Sequence, residues 1–215
     1  MKILHDQQVD EMVKTIQNHA TLHGHKPISP RVIRAIRQVQ RHKFVEISPY
    51  GDHPVSIGYS QTISQPFIVA YMTEMLEIQP SHKVLEIGMG SGYQAAVLSE
   101  LAHEIYTVER IPELAQRTKQ LFETLEDYES IKIKIGNGIE GWKEHAPYDR
   151  IIVTATAQEL VPPQLLIDQL IEGGKMIMPI RKSAGNEELV LITKTGKTYT
   201  IKSLIGVRFV PLVSD

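Results

Sequence analysis

The sequence predicts an α/β fold with a mostly parallel sheet that ends in antiparallel strands, preceded by an N-terminal helical extension. Three observations lead to this prediction. Short β-rich runs alternate with stretches of helical length from residue 83 onward, a pattern typical of parallel sheets with right-handed crossovers. A glycine-rich turn joins the first of these runs to a helix. The last two runs flank Thr195-Gly196, a pair that favours a hairpin and hence antiparallel strands.

The N-terminal extension is predicted from helical spacing and a capping signal. Apolar side chains recur at helical spacing over residues 6–17. Ser29-Pro30 is typical of an N-cap followed by proline at the first helical position, so a second helix begins there. We therefore predict a helical segment and an active-site loop over residues 1–79, packed on an α/β core of residues 80–215 as one compact domain.

The elements of the core follow in order along the chain. The predicted strands are Lys83–Ile87, Ile105–Val108, Ile131–Ile135, Arg150–Thr154, Lys175–Pro179, Glu188–Lys194 and Lys197–Ile205. The predicted helices between them are Tyr93–Leu101, Pro112–Leu125 and Pro163–Leu170.

The composition is that of an ordinary globular protein. Hydrophobic residues make up 42% of the 215 and charged residues 22%. The formal net charge of −2 and the scattered lysines and arginines argue against a nucleic-acid partner. No apolar run approaches the length of a membrane span, so we expect a soluble, cytoplasmic protein without a membrane partner. We also expect it to act as a monomer.

Metal and thiol chemistry are not expected. The chain contains no cysteine, which excludes disulfides, thiolate metal sites and a cysteine nucleophile. His19, His23 and His25 form a loose cluster, but they lack a helical i, i+4 pattern with a third ligand. We therefore predict no metal site.

The stretch Val84–Tyr93 is the most informative in the chain. It runs from an apolar strand through Gly88, Gly90 and Gly92 into a helix. Bare backbone of this kind lets a ligand approach closely, and the helix N-terminus offers free N–H groups. A dinucleotide site needs the spacing G-x-G-x-x-G, but the last position of that pattern is Tyr93 here.

Two acidic residues refine the ligand class. Glu86 stands just before the first glycine, and an acidic residue followed by G-x-G-x-G resembles motif I of the S-adenosylmethionine methyltransferases. The resemblance implies a Rossmann-like class I methyltransferase core, in which Glu86 orients the loop or the ammonium group of the ligand. Glu109 ends the next strand, where a carboxylate can accept hydrogen bonds from both hydroxyls of a ribose.

A second motif lies before the core. Residues 57–66 read Ile-Gly-Tyr-Ser-Gln-Thr-Ile-Ser-Gln-Pro. Taken alone, Ser64 is expected to be an N-cap, with Pro66 in the first turn of the following helix. The same helix start gathers hydroxyl and N–H groups that suit a carboxylate ligand.

This block is similar to the G-x-G-Q-T-I-S-x-P signature of the protein-L-isoaspartate O-methyltransferases. Other family-like pieces occur in the family's order, and they are residues 41–45, 84–93, 106–110, 146–154, 173–175 and 207–212. The resemblance covers about residues 30–213, nearly the whole chain. Several collinear matches are far more specific than any single motif.

The resemblance implies a reaction of protein repair and the residues for it. Such enzymes transfer the methyl group of S-adenosyl-L-methionine to the free α-carboxylate of L-isoaspartyl residues in proteins and peptides, and the cofactor product is S-adenosyl-L-homocysteine. Ser64 corresponds to the active-site serine, and the implied substrate contacts are Gln61, Thr62, Ile57, Val207 and Phe209. The implied cofactor contacts are Glu86, Gly88, Gly90, Ser91, Gly92, Glu109, Arg110, Asn137, Gly138 and Thr154.

This chemistry requires little catalytic machinery. The methyl donor is activated by its positive charge, and a carboxylate with a pKa near 4 is already ionised at neutral pH. No general base is needed, and positioning alone can supply roughly 7–11 kcal/mol. Ser64 is therefore expected to orient the carboxylate by a hydrogen bond.

Three positions depart from the family pattern. Ser60 stands where glycine is usual, Met89 replaces a small residue inside the turn, and Asn137 replaces an aspartate that would accept from the adenine amino group. An amide lacks the charge assistance of a carboxylate, so we expect weaker cofactor affinity. Two alternatives stay open, namely a methyltransferase for another carboxylate and a non-catalytic relative that binds a nucleoside ligand.

Overall fold

A seven-stranded sheet lies at the centre of the protein. The computed structural model describes residues 2–22, 24–157, 161–182 and 185–213, so His23 of the histidine cluster lies outside the described residues. The strands are β1 Val55–Gly58, β2 Gln61–Ile63, β3 Lys83–Ile87, β4 Glu104–Glu109, β5 Ile131–Ile135, β6 Tyr148–Val153, β7 Leu170–Arg181, β8 Glu187–Thr195 and β9 Thr198–Val207. The helices are α1 Lys2–Leu22, α2 Pro30–Gln38, α3 Pro66–Met75, α4 Tyr93–Ser99, α5 Pro112–Leu125 and α6 Gln164–Asp168, with short 3₁₀ helices at Arg41–Lys43, Gly138–Glu140 and Lys143–His145.

The pairing of the strands confirms the predicted fold class. The order in the sheet is β5-β4-β3-β6-β7-β8-β9. The pairs from β5 to β7 are parallel, and β8 pairs antiparallel with both β7 and β9. Ile87 lies opposite both Val108 and Val153, so the carboxyl ends of β3, β4 and β6 meet at one edge. The chain order reverses beside β3, and open α/β sheets bind their ligands at such a point.

The largest difference from the predicted strand bounds is in β7. β7 begins at Leu170 rather than Lys175, and the helix before it is correspondingly shorter, Gln164–Asp168. The pair Gly173-Gly174 is a turn signal, yet it lies inside this strand. The strand continues because Leu170 still pairs with Tyr148, and the glycines occupy an irregularity in the register.

The N-terminal helices form as predicted. The Ser29 hydroxyl accepts a hydrogen bond from the Val32 N–H, which caps α2, and proline occupies the first turn. No helix in the described part of the chain combines the length and the apolar character needed to cross a membrane.

The N-terminal helices share a hydrophobic core with the sheet. Ile16 of α1 and Ile36 of α2 belong to the same buried cluster as Val84 of β3 and Ile152 of β6. The division into residues 1–79 and 80–215 stays a prediction, and this shared cluster supports the view that both parts form one compact domain.

A two-stranded hairpin, β1–β2, precedes α3 and is not predicted by the sequence pattern. Its loop consists of Tyr59 and Ser60, with φ of 54° and 57°. Two consecutive positive φ values are typical of a type I′ turn, which usually contains Asn-Gly. Since Tyr-Ser is not a recognised signal for this turn, the hairpin could not be predicted from the sequence. The positive φ of Ser60 also means that serine is strained at the position where the signature that it resembles has glycine.

The start of α3 corrects one expectation. The N-cap residue is Gln65 rather than Ser64, and its side chain makes no capping hydrogen bond. Asp52, which lies before the hairpin, accepts from the Phe67 N–H at 3.1 Å instead. The capping interpretation of Ser64 is therefore wrong, because a distant carboxylate already satisfies the helix start. Among the described residues, none forms a hydrogen bond with the Ser64 hydroxyl.

Candidate active site

The glycine-rich turn leaves β3 after Ile87 and enters α4 at Tyr93. Gly88 has a φ of 93°, a conformation that favours glycine. A Cβ on Gly88 would lie 2.5 Å from Oγ1 of Thr154, the residue that follows β6. This hydroxyl donates to the Gly88 carbonyl oxygen at 2.7 Å. The bare backbone of the turn and Thr154 thus face each other closely at the carboxyl ends of two neighbouring strands.

A cavity, here called the turn cavity, lies beside this backbone. The ends of β3, β4 and β6 form one side of the cavity. The β1–β2 hairpin and the C-terminal segment 210–213 form the other side. Its lining residues are Gln61, Thr62, Ile87, Gly88, Gly90, Val108, Glu109, Arg110, Ile111, Gly138, Thr154, Ala155, Val210, Pro211, Leu212 and Val213.

Glu109 orders the turn and also faces the turn cavity. Its Oε2 accepts from the Gly90 N–H at 2.9 Å, and its Oε1 accepts from the Ile111 N–H at 3.0 Å. Each carboxylate oxygen has a second lone pair. The same side chain can therefore hold the turn in place and accept hydrogen bonds from the hydroxyls of a ribose.

Glu86 lies behind the turn cavity and is fully buried. Its Oε2 is 2.5 Å from the Thr107 hydroxyl. Burial raises the pKa of the Glu86 carboxyl to about 8; the hydrogen bond with Thr107 lowers this pKa, and the charge of Glu109 raises it. Glu86 is thus mostly protonated at neutral pH, which favours support of the loop over contact with a ligand ammonium group.

The predicted cofactor residues divide into two groups. Those that line the turn cavity are Gly88, Gly90, Glu109, Arg110, Gly138 and Thr154, and those that do not are Glu86, Ser91, Gly92 and Asn137. The Asn137 Oδ1 accepts from the Ile139 N–H at 3.0 Å and so caps a 3₁₀ helix. Met89, the other departure inside this region, has a buried side chain. The roles of the residues behind the lining stay predictions.

A groove adjoins the turn cavity on the side of Ser64. Its lining residues are Pro54, Thr62, Ser64, Gln65, Ile68, Thr154, Gly185, Asn186, Glu187, Gly206, Val207, Arg208, Phe209 and Val210. Thr62, Thr154 and Val210 line both spaces, so the groove and the turn cavity meet at these side chains.

The predicted substrate residues also divide between the two spaces. Ser64, Thr62, Val207 and Phe209 line the groove, and Gln61 lines the turn cavity. Ile57 lines neither space. Its Cδ1 lies 3.4 Å from the position that a Cβ on Gly90 would occupy, so Ile57 packs against the outside of the glycine turn.

The wall of the groove is fixed by a carboxylate that sequence reasoning missed. The Glu187 Oε2 accepts from the Phe209 N–H at 2.8 Å and from the Thr156 hydroxyl at 2.9 Å. Arg181 adds an ion pair with the other Glu187 oxygen at 3.6 Å. Glu187 begins β8, and no local motif marks it, because its partners are distant in the sequence.

The turn cavity fits S-adenosylmethionine. Gly88 and Gly138 both line the cavity. A Cβ on Gly138 would lie 2.5 Å from Ile87 Cγ2, as one on Gly88 would lie 2.5 Å from Thr154 Oγ1, so the packing of the cavity wall requires glycine at both positions. Glu109 supplies an acceptor for a ribose. The amino-acid end of this cofactor is zwitterionic and carries no phosphate, which is consistent with a lining in which Arg110 is the single cationic residue among those that the structure describes.

Comparison with known proteins identifies the family. Residues 7–215 match the family described as protein-L-isoaspartate(D-aspartate) O-methyltransferase. The chain belongs to this family. The predicted family and enzyme class are therefore confirmed, as is S-adenosylmethionine as the cofactor of that family.

Relatives with this family name resemble the chain over most of its length. A protein-L-isoaspartate O-methyltransferase from Picosynechococcus sp. is 49% identical over 187 residues, which is 85% of this chain and 82% of the relative. A protein-L-isoaspartate O-methyltransferase 2 from Polaromonas sp. is 40% identical over 212 residues, 96% of this chain and 99% of the relative.

Solved structures give the same result for the fold. A protein-L-isoaspartate O-methyltransferase structure has a TM-score of 0.83 at 26% identity and matches 96% of this chain and 66% of that one. A Plasmodium falciparum protein assigned to the same enzyme class, solved in complex with S-adenosyl-L-homocysteine, has a TM-score of 0.80 at 27% identity over 94% of this chain and 98% of that one.

The raised pKa of Glu86 predicts a pH dependence of stability. The unfolded chain ionises Glu86 near pH 4.5, whereas the folded protein keeps it protonated up to about pH 8. The folded state therefore binds more protons between these values, and its stability falls as pH rises, by up to about 1.4 kcal/mol per pH unit. Glu86→Gln is expected to remove this slope in denaturant titrations at pH 5 to 9.

The control for this prediction is Glu129→Gln, which changes an exposed glutamate. It should leave the slope of the parent protein in place. Equal slopes for the parent protein and Glu86→Gln would contradict the buried neutral state of Glu86.

The strained hairpin loop predicts a stabilising substitution. Ser60 has a φ of 57°, where an ordinary L-residue costs roughly 1–2 kcal/mol, while glycine costs about 0.5–1 kcal/mol in chain entropy. Ser60→Gly is therefore expected to raise the free energy of unfolding by about 0.5–1 kcal/mol in urea titrations. Ser56→Gly, in β1 of the same hairpin, should lower it. An effect of the same sign in both variants would argue against backbone strain at Ser60.

Proposed function

We propose that this chain transfers the methyl group of S-adenosylmethionine to the free α-carboxylate of L-isoaspartyl residues in damaged proteins and peptides, with Ser64 orienting the acceptor. The observation that carries the proposal is the meeting of the Ser64 groove and the turn cavity at Thr62, Thr154 and Val210. Methyl transfer to oxygen is an in-line displacement, so the donor and the acceptor must approach from two spaces that join.

On the acceptor side, Ser64 donates its hydroxyl hydrogen to one carboxylate oxygen. The hydroxyl is unengaged among the described residues, and Ser64 is held between β2 and α3. The other carboxylate oxygen then points to the junction with the turn cavity. Because the carboxylate is ionised at neutral pH, no proton has to be removed in this step.

The peptide backbone lies along the segment that ends β9. Glu187 fixes this segment by accepting from the Phe209 N–H, which keeps Val207 and Phe209 at the groove wall. Backbone recognition of this kind suits a substrate that is defined by an abnormal linkage rather than by a particular side chain.

On the donor side, the glycine turn and Glu109 form the binding site for the cofactor. When bound, S-adenosylmethionine brings a methyl group activated by a sulfonium charge. Gly88 and Gly138 present bare backbone to the turn cavity, and Glu109 accepts from the ribose while it orders the turn through the Gly90 N–H. The Asn137 oxygen already caps a 3₁₀ helix and Asn137 does not line the turn cavity, so the adenine amino group lacks the carboxylate acceptor usual in the family.

We also propose that the chain acts as a monomer in the cytoplasm and on proteins rather than nucleic acids. A net charge of −2 without a basic cluster in the sequence supports action on proteins rather than nucleic acids. Sedimentation of the purified protein tests the monomeric state, and we expect a single species of 24.3 kDa.

The reaction is tested by labelled methyl transfer to a pair of peptides that differ only in one linkage, isoaspartyl in one and normal aspartyl in the other. We expect transfer to the isoaspartyl peptide alone. Equal methylation of both peptides would indicate a general carboxylate methyltransferase. Calorimetric binding of S-adenosyl-L-homocysteine without transfer to either peptide would indicate a non-catalytic relative.

A further inference from the structure

Arg41 is a completely buried cation that contacts the backbone of Ser64. Its side chain has no exposed surface. Nη2 donates to the Ser64 carbonyl oxygen at 2.7 Å, and Nε donates to the Pro49 carbonyl oxygen at 2.8 Å. One guanidinium group therefore joins the 3₁₀ helix Arg41–Lys43, the loop that leads to the hairpin and the serine between β2 and α3.

The same guanidinium group also packs on the helix that follows the glycine turn. Its central carbon lies 4.6 Å from the centre of the Tyr93 ring, and Tyr93 is the first residue of α4. Burial lowers the pKa of Arg41, and the interaction with Tyr93 acts in the opposite direction. The charge of Asp52 also raises the pKa of Arg41, although among the described residues no carboxylate forms an ion pair with Arg41.

Burial of the Arg41 guanidinium group costs desolvation free energy, which a side chain with only a structural role has no need to lose. A buried cation without an ion-paired carboxylate loses hydration that carbonyl oxygens and an aromatic face replace only in part. The planar fork of arginine can bind two separate carbonyl oxygens in a fixed geometry, which a lysine ammonium group cannot. The geometry of the contacts therefore explains the use of arginine here.

We propose that Arg41 is a positioning residue for methyl transfer, which fixes the backbone of Ser64 so that its hydroxyl meets the substrate carboxylate. The inference rests on the proposed role of Ser64. Since Arg41 does not line the turn cavity or the groove, it acts through Ser64 rather than on the ligands.

The test is a double-mutant cycle with Arg41→Lys and Ser64→Ala, with kcat measured by labelled methyl transfer to the isoaspartyl peptide. We expect Arg41→Lys to lower kcat about 10- to 100-fold, as small misplacements of reacting groups do, with binding of S-adenosyl-L-homocysteine within threefold of the parent protein. In the Ser64→Ala background the same change is expected to lower kcat by less than threefold, because the hydroxyl that Arg41 positions is absent. If Arg41→Lys does not fold, Arg41→Gln takes its place in the cycle.

Arg150→Lys is the matched control. Arg150 also donates to two backbone carbonyl oxygens, those of Leu76 at 2.5 Å and Asp149 at 2.8 Å, but it lines neither the groove nor the turn cavity. It should lower the free energy of unfolding and leave kcat unchanged.

The outcomes separate the inference from the proposed function. An equal loss of kcat from Arg41→Lys in both backgrounds, or no loss in either, overturns the positioning role while the role of Ser64 stands. A parallel loss of S-adenosyl-L-homocysteine affinity also overturns it, because the defect is then structural. A Ser64→Ala variant with the kcat of the parent protein overturns the role of Ser64 itself, and the inference with it.

Discussion

Replacing Ser64 with alanine is expected to lower kcat for isoaspartyl peptides about 10- to 100-fold and to leave the affinity for S-adenosyl-L-homocysteine within twofold of the parent value. A hydrogen bond to a charged group contributes about 1.5–3 kcal/mol, which corresponds to a loss of this size when the bond orients the acceptor in the transition state. The cofactor is unaffected because Ser64 lines the groove and not the turn cavity.

Two measurements check this expectation, namely steady-state methyl transfer and calorimetry with S-adenosyl-L-homocysteine. Ser203→Ala is the control, because this serine lies on β9 outside the groove, where its hydroxyl donates to Glu188. A loss of cofactor affinity that equals the loss of kcat in Ser64→Ala would show that the serine supports the fold rather than the acceptor.

Replacing Gly88 with alanine is expected to weaken the binding of S-adenosyl-L-homocysteine by about 100-fold or more. A Cβ at this position would lie 2.5 Å from Thr154 Oγ1, and overpacking of this kind costs typically 1–3 kcal/mol. The φ of 93° adds backbone strain of roughly 1–2 kcal/mol. Relief of either effect displaces Gly88 or Thr154, and both residues line the turn cavity.

Gly196→Ala is the control that separates the effect of backbone strain from damage to the cofactor site. Gly196 also has a positive φ, 61°, but a Cβ there would meet no atom within 4 Å, and it lies in the turn between β8 and β9. This variant should be less stable by about 1–2 kcal/mol and should bind S-adenosyl-L-homocysteine as the parent protein does. If Gly88→Ala retained full affinity, the turn cavity would not be the cofactor site.

The features that sequence reasoning predicted well are local. The order of strand, three glycines and helix over residues 84–93 is contiguous, and each part requires the next, so the turn and its position at the strand end were predicted correctly. The parallel strands follow in the same way from alternation with helices. Glu109 could be placed because the carboxyl ends of adjacent parallel strands meet at one edge.

The features that the sequence hides depend on distant partners or on an unusual turn. The β1–β2 hairpin was missed because Tyr59 and Ser60 adopt positive φ without an Asn-Gly signal. The capping of α3 was misassigned because Asp52 reaches it from outside the hairpin. No sequence motif marks Glu187. Its contact with the Phe209 N–H depends on the pairing of β8 with β9 and on the position of the segment after β9.

The most direct test of the account is a crystal structure of the complex with S-adenosyl-L-homocysteine and an isoaspartyl peptide. We expect the cofactor product between Gly88 and Glu109, its sulfur facing the junction of Thr62 and Thr154, and the peptide carboxylate within hydrogen-bond distance of the Ser64 hydroxyl. A cofactor bound elsewhere, or a peptide carboxylate out of reach of Ser64, would contradict the account.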